Sequence, residues 1–203
     1  MPFQRVFQQL ALAALAAASV SSWAQRAGDP LAPIVRCIAA GKFGVLEQAR
    51  LPASATSRSV ETAAGNKTVS VADGYRVILA TSQGQPFVNL KVEQSSPADA
   101  AADRATVEAQ MALFSSRRSG AQQALQRVVD GEVELLSLHQ PDLARGGPIS
   151  FYSLFVPSKA LIASLYVLNQ PPGQRAFATY ADYEALRDEA VKLVQGCAAA
   201  EGA

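Results

Sequence analysis

His139 is the only histidine in a chain of 203 residues, so it is the first place to look for a catalytic base. A nucleophilic triad would pair that base with a hydroxyl, and Ser150 and Ser153 follow a short way downstream. Neither serine sits in a G-x-S-x-G elbow, and the chain carries no S-x-x-K dyad. His139 falls in LHQPDLARGG, which reads as an exposed loop after a strand, and the two serines lie among Phe151 and Phe155 as strand fillers. Carboxylates come in pairs, among them Glu132/Glu134 and Asp188/Glu189. The first pair would share one face of a strand and could serve acid–base work on a glycan. Placed just after a turn, it reads instead as a solvated edge. The second belongs to the polar face of a helix, interspersed with Arg187 and Lys192. Gly41-Lys42 lacks the upstream glycine of a phosphate loop. Asn66-Lys67-Thr68 is a formal glycosylation sequon, meaningful only in a eukaryotic secretory pathway.

Cysteine is the other chemistry-bearing type, and there are two, Cys37 and Cys197. The first 24 residues bear on how they are used. Arg5 precedes an apolar run from Leu10 to Val20, and Ser22-Trp23-Ala24 makes a small-x-small cleavage pattern. That is the layout of a secretory signal peptide cut after Ala24, with an apolar run too short to cross a bilayer. No twin arginine precedes the run and no cysteine stands at the cut, so the general secretory route is expected and a lipoprotein is not. The expected location is periplasmic. In an exported chain two cysteines read most simply as one disulfide. Two buried thiols or part of a metal site are the alternatives, though two distant cysteines and one histidine make a poor zinc set.

Removing 24 residues of 203 leaves 179, the size of one globular domain, 25–203. That removal takes Arg5 from the eighteen Lys and Arg and leaves them equal to the seventeen Asp and Glu. A neutral chain is a poor match for nucleic acid or an anionic membrane.

The elements that must position these residues follow from periodicity. Asp29 as cap, Pro30 in the first turn and Gly41 as stop mark a short helix with Leu31, Ile34, Cys37 and Ile38 on one face. A closing helix starts at Thr179, with Asp182 as capping-box partner. Its stripe is Tyr183, Leu186, Ala190, Leu193, Val194 and Cys197. Residues 97–118 form a helix with Val107, Met111 and Phe114 inward, and AQQALQRVV reads as its extension until Asp130-Gly131 breaks it. Residues 51–59 read as a loop. Turns are expected near Gly65-Asn66, at Asp73-Gly74 and at SQGQP, giving four strands before the central helix. In FVNLKVEQ, Val88, Leu90 and Val92 face a core while Asn89, Lys91 and Glu93 face water. Three more strands follow. Residues 149–155 place Ile149, Phe151 and Phe155 opposite Tyr152 and Leu154, and 161–168 is also apolar on both faces, so this pair should be central. The order is α-β-β-β-β-α-β-β-β-α: an α+β class, mostly antiparallel sheet covered by N-terminal, central and C-terminal helices.

The stretch VSVADGYRVILATSQGQPFVNLKVEQ, followed by a polar helix, a hairpin and a closing helix, resembles the Mog1/PsbP-like fold. Its members often carry a P-x-G-W turn into a strand and an N-hydrophobic-x-V before the helix. The counterparts are Asp73-Gly74-Tyr75, with tyrosine where the family has tryptophan, and Asn89-Leu90-Lys91-Val92. The resemblance spans about residues 56–195, leaves the Cys37 helix outside it, and implies a sheet between helices in a family of mostly non-enzymatic accessory, envelope and inhibitor proteins.

The expected function is a non-catalytic periplasmic binding or inhibitory protein, for instance an immunity protein masking a secreted antibacterial toxin. An envelope assembly accessory, or a carrier of a small apolar ligand, is the alternative; a hydrolase using Glu132 or His139 comes last. The expected partner is another envelope or toxin protein, with no nucleic acid, no cofactor, no metal and no membrane span in the mature chain. Arginine and tyrosine dominate interface hot spots, so Arg145, Tyr152, Tyr166 and Arg175, in or near loops 141–148 and 169–180, are the binding candidates.

Overall fold

The computed structural model describes residues 29–51, 57–116, 124–139, 147–171 and 173–200. The leader expected at 1–24 and the stretch 140–146 that holds Arg145 lie outside the described residues. Helix α1 (Ala32–Ala39) comes first, then strands β1 (Gly44–Leu51), β2 (Arg58–Thr62), β3 (Gly65–Val69), β4 (Val71–Ala80) and β5 (Pro86–Ser95). Helix α2 (Ala100–Ser116) separates these from β6 (Gln126–Asp130), β7 (Val133–His139), β8 (Gly147–Val156) and β9 (Leu161–Asn169), and α3 (Tyr180–Ala199) closes the chain. Seven strands form one sheet in the order β1-β4-β5-β9-β8-β7-β6, and β2 and β3 make a separate hairpin. Each described pair in that sheet is antiparallel. The described residues form an α+β fold with a large antiparallel sheet and three helices packed on it, as expected from the sequence.

The strands apolar on both faces, β8 and β9, lie inside the sheet, with β9 at its centre. One face carries Tyr75, Val77, Leu90, Val92, Leu154 and Leu165 against α1 and α3. The other carries Leu136, Leu138, Phe151, Phe155 and Ile162 against α2 and the β2–β3 hairpin, through Val60, Val69, Val107 and Met111. Phe151 and Phe155 thus oppose Tyr152 and Leu154, as alternation requires.

Four local expectations are corrected. Residues 126–130 are strand rather than helix extension, because Val128 and Val129 are β-branched and Gly131, at φ +57°, turns the chain straight back onto β7. Residues 44–51, left without an element, form edge strand β1. Asp73-Gly74 makes no turn: it lies within β4, where the register to β5 shifts between Val71 and Asp73. Glu93 does not face water; the hairpin covers it completely, and Arg58 on β2 meets its carboxylate at 2.5 Å with Lys91 at 3.0 Å.

The helix ends follow their side chains. The Asp29 carboxylate accepts the amides of Leu31 and Ala32 and the hydroxyl of Tyr75. Thr179 and Asp182 form a complete capping box at the start of α3. Cys37 and Cys197 are bonded, with their Cα atoms 5.6 Å apart, and join α1 to the last turns of α3. Cys197 is buried, whereas Cys37 lies at the exposed border of the stripe formed by Leu31, Ile34, Val35 and Ile38.

Candidate functional site

Alanines at the start of α2 leave room that larger residues would fill. Ala100 and Ala101 stand over Phe155, Pro157 and Ile162, and the space between them is a groove of about 470 Å³. The floor comes from cross-strand neighbours on one sheet face, because Phe155 pairs with both Glu134 and Ile162. One wall is charged. Arg104 of α2 lies over the Phe155 ring at 5.6 Å and donates to Glu134 through Nε at 2.9 Å and Nη2 at 2.7 Å.

Glu134 is 8% exposed, which overturns its reading as part of a solvated edge pair. Strand β6, not β7, is the edge, and α2 lies over Glu134's face. Arg127 of β6 adds a second cation at 3.2 Å and also pairs with Glu108, one turn beyond Arg104 on α2. The network therefore holds two arginines and two glutamates and is neutral. A buried carboxylate needs such partners, since unpaired it would keep its desolvation cost without a compensating bond. Both oxygens of Glu134 face guanidinium donors, a geometry for holding the wall rather than for taking a proton from a substrate. Glu132 stands apart in the β6–β7 turn and accepts the Ser158 hydroxyl at 2.7 Å.

His139 is not in an exposed loop. It is the last residue of β7, half-buried, directly opposite Ser150 of β8. Its Nδ1 lies 3.4 Å from Ser150 Oγ and 3.5 Å from the Tyr152 hydroxyl, and its ring meets that of Tyr152 edge-on at 5.3 Å. Burial pulls the imidazole pKa down to about 4; Arg187 lowers it further and Asp188 partly opposes. The imidazole is therefore neutral near pH 7 and next to a hydroxyl, two conditions that a base–nucleophile pair requires. The rest of the arrangement is closed. Ser150 is 1% exposed, and the fully buried Tyr183 of α3 directs its hydroxyl at Ser150 Oγ (3.1 Å) and the Val167 carbonyl (3.2 Å). Burial raises the Tyr152 and Tyr183 hydroxyls well above the usual tyrosine range. The nearby carboxylate, Asp188, bonds to Arg187 Nε at 2.8 Å. Among the described residues no group of three or more potential ligands could hold a metal ion.

The three binding candidates among the described residues are not brought together. Tyr152 is buried in the α1/α3 core. Tyr166 lies on the other face, stacked on Phe151 with ring centres 4.5 Å apart. Arg175 donates Nε to the Gln170 carbonyl at 2.8 Å and lies over Phe177. Arg145 is outside the described residues. The groove residues Arg104, Glu134 and Phe155 were missed as a set. Their sequence signals were slight: an Arg104/Glu108 pair at helical spacing, and one acid inside the apolar run VELLSL. Comparison with known proteins finds no matching family model, curated protein or solved structure.

Proposed function

We propose that this chain is an exported, non-catalytic binding protein that holds an apolar group of another envelope or secreted protein in the groove beneath α2. The groove is the observation that carries this reading: an apolar floor of Phe155, Pro157 and Ile162 beside the neutral Arg104–Glu134 wall. Such a site favours an uncharged insertion and asks for no ion exchange at its rim. The leader-like residues 1–24 and the Cys37–Cys197 disulfide support an oxidising compartment, the periplasm. Among the described residues no helix is long and apolar enough to cross a membrane. The resemblance to Mog1/PsbP-like proteins points to the same non-enzymatic class, and an immunity protein masking a toxin is one form of it. The groove's volume also suits a carrier of a small apolar ligand, which is the second reading.

The test fills the groove from its exposed rim with Ala101→Trp. Envelope extract is passed over the immobilised wild type and the variant, matched for melting temperature. Loss of a partner at least tenfold with the variant supports the reading, and equal recovery moves the interface elsewhere. Absence of any partner, with displacement of an apolar dye from the wild type alone, gives the carrier reading instead.

A further inference from the structure

The seven-stranded sheet ends in two edges, β1 and β6, and an edge offers a row of unpaired amides and carbonyls to any extended chain. Strand β1 is protected. Its register to β4 shifts between Val45 and Glu47, so Leu46 bulges, and Glu47 and Arg50 form ion pairs with β4 and its neighbours. Strand β6 has no such bulge, and its one ion pair to the neighbouring strand, Arg127 with Glu134, is drawn to the face under α2. Its register to β7 runs unbroken from Gln126 opposite Ser137 to Asp130 opposite Val133, and all five residues are exposed. Val128 and Val129, at 54% and 65%, exceed every other exposed large apolar residue described. The single cation, Arg127, is turned back onto Glu108 and Glu134 instead of guarding the edge.

We propose that β6 pairs with β6 of a second copy of this chain, antiparallel about Val128, joining two sheets into one. The strand's own sequence selects that occupant. A two-fold axis perpendicular to the sheet makes the contact self-complementary and keeps directly opposed side chains on one face, so each residue meets one an even number of positions away. Centred on Val128, the register sets valine against valine, Arg127 against Val129, and the Gln126 amide against the Asp130 carboxylate. No like charges oppose one another. Centred on Arg127, the same strand would place two arginines face to face, which is unfavourable. Centred on Val129, it would run into the turn at Gly131. Five residues make a short interface, in the weak and reversible class rather than the obligate one. The same axis places both grooves on one side of the dimer, so a partner with two copies of the bound feature would meet both at once.

Crosslinking tests the register. The chain's two cysteines are bonded to each other, so Val128→Cys supplies the one free thiol. Leu46→Cys on the β1 edge, 51% exposed, serves as control, and both sites are far enough from the core for folding to be checked by an unchanged melting temperature. Under mild oxidation Val128→Cys is expected to form covalent dimer at least tenfold faster than Leu46→Cys. Sedimentation of the wild type should show a dimer at high concentration that Val128→Lys abolishes. Equal crosslinking rates, or a wild type that stays monomeric, would overturn the pairing. Faster crosslinking through Val129→Cys would overturn the register, and a covalent adduct of Val128→Cys with a different envelope protein would overturn the second copy as occupant.

Discussion

His139 shows how much a single side chain depends on its surroundings. In sequence it stands between a strand and a run of Gln, Pro and Asp. In the fold it caps β7 against Tyr152 and Ser150, and burial there favours the neutral ring. Its folded pKa of about 4 lies below the ordinary 6.5, so the unfolded chain binds a proton that the folded one refuses. The contribution to stability is complete above about pH 6.5 and is lost as the pH falls from there toward 4. Because the ring is only half-buried, the loss should be about 1–2 kcal/mol, well below what the full shift would give. Unfolding in urea at pH 7 and pH 4.5 checks it: His139→Asn should flatten the difference relative to wild type, while contributions of other acids cancel in the comparison. An unchanged pH dependence would mean that the ring is more hydrated than its contacts imply.

Elements here are set by caps and turns as much as by apolar stripes. The α3 stripe of Tyr183, Ala190, Val194 and Cys197 was readable at helical spacing, and so was its start, because Thr179 and Asp182 satisfy each other's backbone amides. Thr179→Ala should cost about 1 kcal/mol, seen as a lower urea midpoint with an unchanged slope. The central helix and β6 were harder. Residues 121–129 are compatible with a helix by composition, and only pairing with β7 across the Gly131 turn makes 126–130 extended. In β5, alternation located the Val88, Leu90 and Val92 face but could not reveal that the β2–β3 hairpin folds over Glu93 on the other. Hairpins that leave the main sheet to act as a lid have no local signature, since the pattern of a solvated face and that of a face covered by charged partners are alike.

Across the whole molecule the disulfide has the widest reach. It closes a separation of 160 residues and clamps the two helices that cover one sheet face. Chain-entropy reasoning allows up to about 5 kcal/mol for so long a loop. With Cys37 exposed, reductant should reach the bond without prior unfolding. Adding dithiothreitol to the folded protein is therefore expected to free two thiols and to lower the urea midpoint strongly, with Cys37→Ser/Cys197→Ser reproducing the effect. Two thiols titrating in the unfolded protein before any reductant would defeat the bond.

By itself the sequence determined the α+β class, the capping box of α3, the interior place of β8 and β9 and the pairing of two cysteines. These rest on local capping chemistry, on periodicity, and on a disulfide being the simplest use for two cysteines behind a leader-like N-terminal pattern. Only the tertiary structure decided that α2 and the β2–β3 hairpin share one face, that Glu134 is buried between two arginines, and that β6 is the unguarded edge. Each of these is a meeting of residues far apart in the chain. Burial and ion pairing depend on which surfaces meet, and alternation specifies the faces of a strand without naming what will cover them.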